Sequence, residues 1–201
     1  MPEQEITRIR LRLIDLIKSF FVNNPDAELL SRWRGTFSAL AQEQISPIMD
    51  QAVRQVNEQL AEKKLEDLQE EYYQLFTDPF GDDQLNLYAS HYFDGRNYGE
   101  TLVAVRQLFM DSGIAKEDDV TEPEDSLPVM IDLLATLIDL EKKGTDTESH
   151  QQALVNSYLI PLVKEVKKEV EKSDGTDFYR AAIDFVYAYL DLEKGLSDSF
   201  Q

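Results

Sequence analysis

Apolar residues recur along this chain at helical spacing and almost nowhere alternate. Ile6, Ile9, Leu13, Leu16, Ile17 and Phe20 fall at i, i+3, i+7, i+10, i+11 and i+14, one face of an amphipathic helix. Asn24-Pro25 restarts the chain with a capping residue and a first-turn proline. Leu30, Trp33, Phe37 and Leu40 line the next helix, in which Gly35 weakens continuity. Ser46-Pro47 repeats the cap-then-proline signal before Met49, Val53, Val56 and Leu60. Leu65, Leu68, Tyr72, Leu75 and Phe76 continue the pattern, so 46–76 reads as one bent helix or two.

From Thr77 to Asn97 no period is sustained, and Pro79, Gly81 and Gly95 interrupt the run. It reads as a long ordered loop, and such loops in compact domains are usually functional. Tyr98–Ser112 is helical, with Leu102, Val105 and Phe109 inward and Gly113 as its stop. A helix carrying Leu127, Ile131, Leu134 and Ile138 follows, with Gly144 beyond its end. Pro128 must lie in its first turn, because proline in mid-helix costs about 3 kcal/mol. That places Asp125 and Ser126 at the N-cap. Thr145 and Glu148 have capping-box spacing before a helix of Val155, Leu159, Leu162, Val166 and Val170, which Pro161 kinks. Phe178, Ala182, Phe185, Tyr189 and Leu192 make the last helix, ending at Gly195. No period-2 strand, internal repeat or linker stands out. The pattern predicts an all-α fold, a single domain over residues 1–201 with about seven to nine helices.

Charge changes the picture more than composition does. Thirty-nine acidic residues against 20 basic ones leave a net charge of −19, which repels nucleic acid and anionic membranes. The same charge attracts a cationic peptide or basic partner, or serves solubility alone. With no cysteine, disulfides and thiolate metal sites are excluded. Arg8, Arg10 and Arg12 before an apolar run resemble the start of a signal peptide, but Asp15 and Lys18 interrupt it and no cleavage signal follows. No apolar segment is long enough to span a bilayer, so the expected location is cytoplasmic.

Catalytic signatures are absent. There is no glycine-rich phosphate loop and no His-Glu-x-x-His helix. His91 and His150 stand far apart, and Asp82-Asp83 lacks calcium-loop spacing. The chain is therefore expected to be no enzyme and to carry neither metal nor other cofactor. Two stretches look like binding surfaces instead. Tyr72, Phe76, Phe80, Tyr88, Tyr92 and Phe93 crowd the irregular stretch, and seven carboxylates lie between Asp111 and Asp125 with only Lys116 among them. Aromatic walls suit an apolar peptide segment, and the acidic loop suits its arginines.

The order of motifs resembles the TorD/DmsD/NarJ family of redox-enzyme maturation chaperones. The residues that carry the likeness begin with Glu71-Tyr72, Leu75-Phe76, Tyr88-x-Ser90-x-Tyr92, Tyr98-Gly99, Val105-Arg106 and Gly113. They continue with Glu122-Pro123-Glu124-Asp125-Ser126-Leu127, Gln152, Leu154-Val155, Tyr158-Leu159-x-Pro161 and Phe178-Tyr179, so the likeness covers roughly residues 65–190. Where that family has Glu-Pro-x-Asp-His, this chain ends the motif in Ser126. The run from Asp125 to Met130 is closer to the NarJ branch. The resemblance implies an all-helical cytoplasmic chaperone, monomer or homodimer. Its partner would be a molybdoenzyme catalytic subunit, bound through its N-terminal leader, a twin-arginine signal or its remnant, during cofactor insertion. By position, the peptide-binding residues it implies are Tyr72, Leu75, Phe76, Tyr88, Glu122, Pro123, Asp125 and Ser126. The rival reading is a generic helical adaptor that docks an amphipathic partner helix. An all-α enzyme using Asp125, Glu122 and His91 is the third.

Overall fold

Trp33, Phe37, Phe178 and Phe185 are buried around Phe20, their ring centroids 4.9–6.4 Å from their neighbours. The Trp33 indole N–H, which could not be buried without an acceptor, donates to Ser19 Oγ at 2.9 Å. This aromatic core belongs to a computed structural model that describes residues 3–81, 83–117 and 120–198. Asp82 of the Asp82-Asp83 pair, and Asp118 and Asp119 of the acidic window, lie outside the described residues.

The helices are α1 Glu3–Lys18, α2 Ala27–Leu40, α3 Pro47–Glu62, α4 Leu65–Tyr72, α5 Ala89–Phe93 and α6 Glu100–Asp111. They continue with α7 Leu127–Lys142, α8 Glu148–Leu154, α9 Ile160–Val170 and α10 Asp177–Asp198. Two π-helical segments, Tyr73–Thr77 and Val155–Leu159, extend α4 and join α8 to α9. Among the described residues there is no strand, only an isolated antiparallel bridge between Tyr88 and Ser126. The all-α expectation holds.

Backbone contacts group the chain into two compact units. The first comprises residues 1–18, 87–162 and 190–201, and the second 19–86 and 163–189. In the first, α1 packs on α7, whose next neighbours are α8 and the π segment after it. Arg10 is held there by Glu193, whose Oε2 lies 2.7 Å from its Nη2, and by Gln151 Oε1 at 2.7 Å. In the second unit α2 packs on α3, and the Arg34 guanidinium donates to the carbonyls of Leu60 and Lys63 at the end of α3.

The periodic stripes face inward, with Ile6, Leu40, Leu65 and Leu192 half-buried at their edges and Ile9 39% exposed. Several boundaries differ from the sequence reading. The α2 cap is Asp26, which accepts from the Leu29 N–H at 2.8 Å, not Asn24. Gly35 faces solvent and α2 runs through it unbroken. The stretch 46–76 is two helices, parted at Lys63-Lys64. Inside the expected loop 77–97 lies α5. The cap of α8 is Thr147, not Thr145; its hydroxyl turns away and donates to the Leu137 carbonyl at 2.8 Å. Gly195 does not end α10, which continues to Asp198.

Pro161 is accommodated by a π turn just ahead of it. Its ring would collide with the carbonyl four residues back. The helix widens just ahead of it, the Ile160 N–H reaching back five residues to the Val155 carbonyl. The same device precedes Pro79, where the Asp78 N–H donates to the Tyr73 carbonyl at 2.8 Å. There the chain leaves the helix, Asp78 taking the extended conformation that a residue before proline prefers.

Candidate functional site

The Glu122–Ser126 loop is fastened to the start of α5 by backbone and side chain together. The Leu127 N–H donates to the Leu87 carbonyl at 2.8 Å, and the Ala89 N–H to the Asp125 carbonyl at 2.9 Å. Between them Tyr88 and Ser126 face one another in the isolated bridge. The Asp125 carboxylate then accepts from the Ser90 N–H at 2.8 Å, in the first turn of α5. Asp125 thus caps a different helix from the one it precedes. Ser126 does occupy the N-cap of α7, with extended backbone, but its side chain makes no capping bond.

Each loop residue has a place. Glu122 is exposed; its carbonyl accepts from Lys116 Nζ at 2.6 Å. Pro123 is buried, and its carbonyl closes a turn with the Ser126 N–H at 3.1 Å. Glu124 Oε2 pairs with Arg106 Nε at 2.8 Å. Asp125 and Ser126 are fully buried, and among the described residues Asp125 Oδ1 and Ser126 Oγ have no hydrogen-bond partner. A buried carboxylate oxygen without a partner is costly, and the bonds from the Ser90 and Ala89 N–H groups offset that cost.

Tyr88 is half-buried at the edge of this loop, within electrostatic reach of the Glu122 carboxylate. Burial pushes its phenol up to about 12, helped by the Glu122 charge and hydrogen bond, and by Tyr98 and Asp125. The Tyr98 ring lies 6.1 Å from that of Tyr88. Tyr98 is the only non-glycine among the described residues with positive φ, at 61°, and its N–H donates to Ser90 Oγ at 3.0 Å. Gly99 follows because there is no room for more: a Cβ there would stand 2.7 Å from Asp94 Cβ. Asp94 in turn caps α6, accepting from the Thr101 N–H at 2.8 Å and its hydroxyl at 2.9 Å.

The other three expected site residues lie in the second unit. Tyr72 closes α4, and Leu75 and Phe76 sit on the π segment. Leu75 is fully buried and presents no surface; its carbonyl accepts from the Leu85 N–H at 2.8 Å. Tyr72 and Phe76 are half-buried, 5.1 Å apart, with Phe76 edge-on to both Phe21 and Tyr179. The Tyr72 hydroxyl donates to the Phe21 carbonyl at 3.3 Å.

Beside them, buried Glu71 does what its position in the motif did not announce. Its Oε2 accepts from the N–H groups of Phe178 and Tyr179 at 3.0 and 3.2 Å, capping α10. Lys63 Nζ lies 2.6 Å from Oε1, an ion pair. Burial raises the Glu71 carboxyl above its ordinary range, against the opposing pull of Lys63 and the two amides.

The structure therefore brings Tyr88, Glu122, Pro123, Asp125 and Ser126 together, and separately Tyr72, Leu75 and Phe76. Sequence reasoning passed over Glu71, Ser90, Asp94 and Tyr98 as site-forming residues. The Tyr98-Gly99 pair was the visible signal, since a glycine beside an aromatic in a non-periodic stretch marks a constrained backbone. Among the described residues no group of three or more His, Cys, Asp or Glu side chains is arranged to hold a metal ion. No described helix is long and apolar enough to cross a membrane.

Comparison with known proteins fits this arrangement. Residues 42–165 match the family model described as nitrate reductase delta subunit. The match begins before α3 and ends within α9, so it includes the whole Glu122–Ser126 loop and the Tyr88 and Tyr98 edge. No curated protein matches the chain. Among solved structures, a crystal structure described as a candidate redox enzyme maturation protein from Archaeoglobus fulgidus shares the fold. It superposes with a TM-score of 0.52 at 19% identity, covering 91% of this chain and 94% of that one. With more than half of its length matched, the chain belongs to the nitrate reductase delta subunit family, of the NarJ/TorD chaperone type.

Proposed function

We propose that this protein is a cytoplasmic maturation chaperone that binds the N-terminal leader of a molybdoenzyme catalytic subunit and holds it while the cofactor is inserted. In this reading the 201 residues work as one all-helical domain, monomeric or homodimeric, without catalysing a reaction. Family membership supports the general role. The observation that carries the leader is the exposed Glu122 carboxylate beside the half-buried Tyr88, on a loop clamped to α5. A carboxylate at an aromatic edge suits an arginine followed by an apolar segment. Buried Asp125 and Ser126 set the shape of that loop. Tyr72 and Phe76 are separate candidates in the second unit, tested by their own substitutions.

Calorimetric titration with a leader peptide carrying an arginine pair tests the proposal. Wild type should bind it, and Glu122→Gln should bind about twofold to fivefold more weakly, the worth of an exposed charge pair. Asp125→Asn, which keeps an acceptor for the Ser90 N–H, should fold and bind like wild type. Equal affinity for an arbitrary amphipathic helix without arginines would favour the adaptor reading instead.

A further inference from the structure

We infer that Tyr98, with Tyr88 and the Glu122 carboxylate, forms a receptor for a single arginine guanidinium, in which Tyr98 supplies the ring face. The inference rests on the leader-binding reading and adds to it a residue and a chemistry. Tyr98 is 65% exposed although it is aromatic, and its backbone holds the left-handed conformation that tyrosine rarely adopts. Such a conformer persists only where its surroundings impose it. Here they do, through Ser90 Oγ on its N–H and through Gly99, pressed against the Asp94 that caps α6. These contacts fix the backbone and leave most of the ring exposed beside that of Tyr88.

The surroundings favour a cation. The Tyr88 ring is 6.1 Å away, and the exposed Glu122 carboxylate near it has acceptor capacity for a guanidinium. Arg106 is engaged by Glu124, and the Lys116 ammonium by the Glu122 carbonyl. A planar guanidinium can stack on an aromatic face while hydrogen-bonding a carboxylate in its own plane, which an ammonium cannot do.

The test uses Tyr98→Gly and Tyr98→Phe in the full chain, with two probes: the arginine-pair leader peptide and acetyl-arginine amide. Glycine accepts a φ of 61° without strain, so Tyr98→Gly should melt no lower than wild type and any loss of binding is not misfolding. It should bind the peptide about threefold to tenfold more weakly, the range of a partly desolvated cation–π contact, and Tyr98→Phe should bind as wild type does. Acetyl-arginine amide should shift the ring resonances of Tyr98 and Tyr88 by NMR, and its neutral citrulline counterpart should not. Undiminished affinity in Tyr98→Gly, or equal shifts with citrulline, would overturn the inference and leave the leader reading standing. Ring shifts with arginine amide from a wild type that ignores the leader peptide would sink that reading and keep the receptor. No response to either probe overturns both.

Discussion

Glu71 shows how one buried charge can hold a helix start and still cost stability. It satisfies two amides of α10 and pairs with Lys63, yet burial raises its carboxyl above the ordinary 4.5. A carboxyl with a raised folded pKa binds its proton more tightly folded than unfolded. Below 4.5 both states are protonated and Glu71 contributes no pH dependence. As pH rises from 4.5 through the raised value, the unfolded state loses its proton first and stability falls. Wild type should therefore lose stability relative to Glu71→Gln across that window, measured by urea unfolding from about pH 4 to pH 7. Glutamine keeps an acceptor for the Phe178 and Tyr179 N–H groups. Glu71→Ala strips both, and should cost about 2–3 kcal/mol at neutral pH. A flat difference between wild type and Glu71→Gln would mean the carboxyl titrates as an ordinary one.

At the scale of elements, helices here are started by residues from elsewhere in the chain. Asp125 caps α5 from 35 positions away, Glu71 caps α10 from 107, and Asp94 caps α6 across the Tyr98-Gly99 turn. This is why the helical faces were legible in the sequence and several of their starts were not. Periodicity is a local property, so Met49 to Leu60 and Leu127 to Ile138 announced their buried faces. A cap supplied across the fold leaves no local trace, and reading Asp125 as the cap of its own helix was the error that followed. The π turns were half legible: the prolines marked a disturbance, and only the backbone shows that it is absorbed by widening. Of the candidate site, the loop and Tyr88 were visible as chemistry. The burial of Asp125 and Ser126 was not, because burial is decided by the neighbours that folding brings. Gly99 tests the third of these remote caps. Gly99→Ala would drive a methyl group into Asp94 and should cost about 1–3 kcal/mol of stability. In an Asp94→Gly background, where the whole side chain, its Cβ included, and the cap are gone, the same change should cost much less. Additive costs in that double-mutant cycle would separate the glycine from the cap.

For the whole molecule the governing quantity is the charge of −19, and it acts in opposite directions on folding and on binding. Several of the 20 basic residues are already tied to acids, among them Arg10 to Glu193, Lys18 to Asp132, Lys63 to Glu71 and Arg106 to Glu124. With 39 acids in the chain, the remaining long-range interactions are dominated by repulsion between carboxylates. At about 0.01 M salt such charges feel one another across roughly 30 Å, and at 0.15 M across about 8 Å. Raising salt over that range should therefore raise the melting temperature of the free protein, because repulsion is screened while short buried pairs such as Lys63–Glu71 are screened much less. If Glu122 receives an arginine-bearing leader as proposed, the same addition should weaken its binding, because that attraction is screened as well. Affinity should not vanish, since the apolar part of the peptide still leaves water at about 25 cal/mol per Å². Calorimetry on free protein and on the complex, over one salt series, reads both signs at once. A melting temperature that rises while affinity stays constant would show that the acidic surface serves solubility and leaves recognition to the apolar segment.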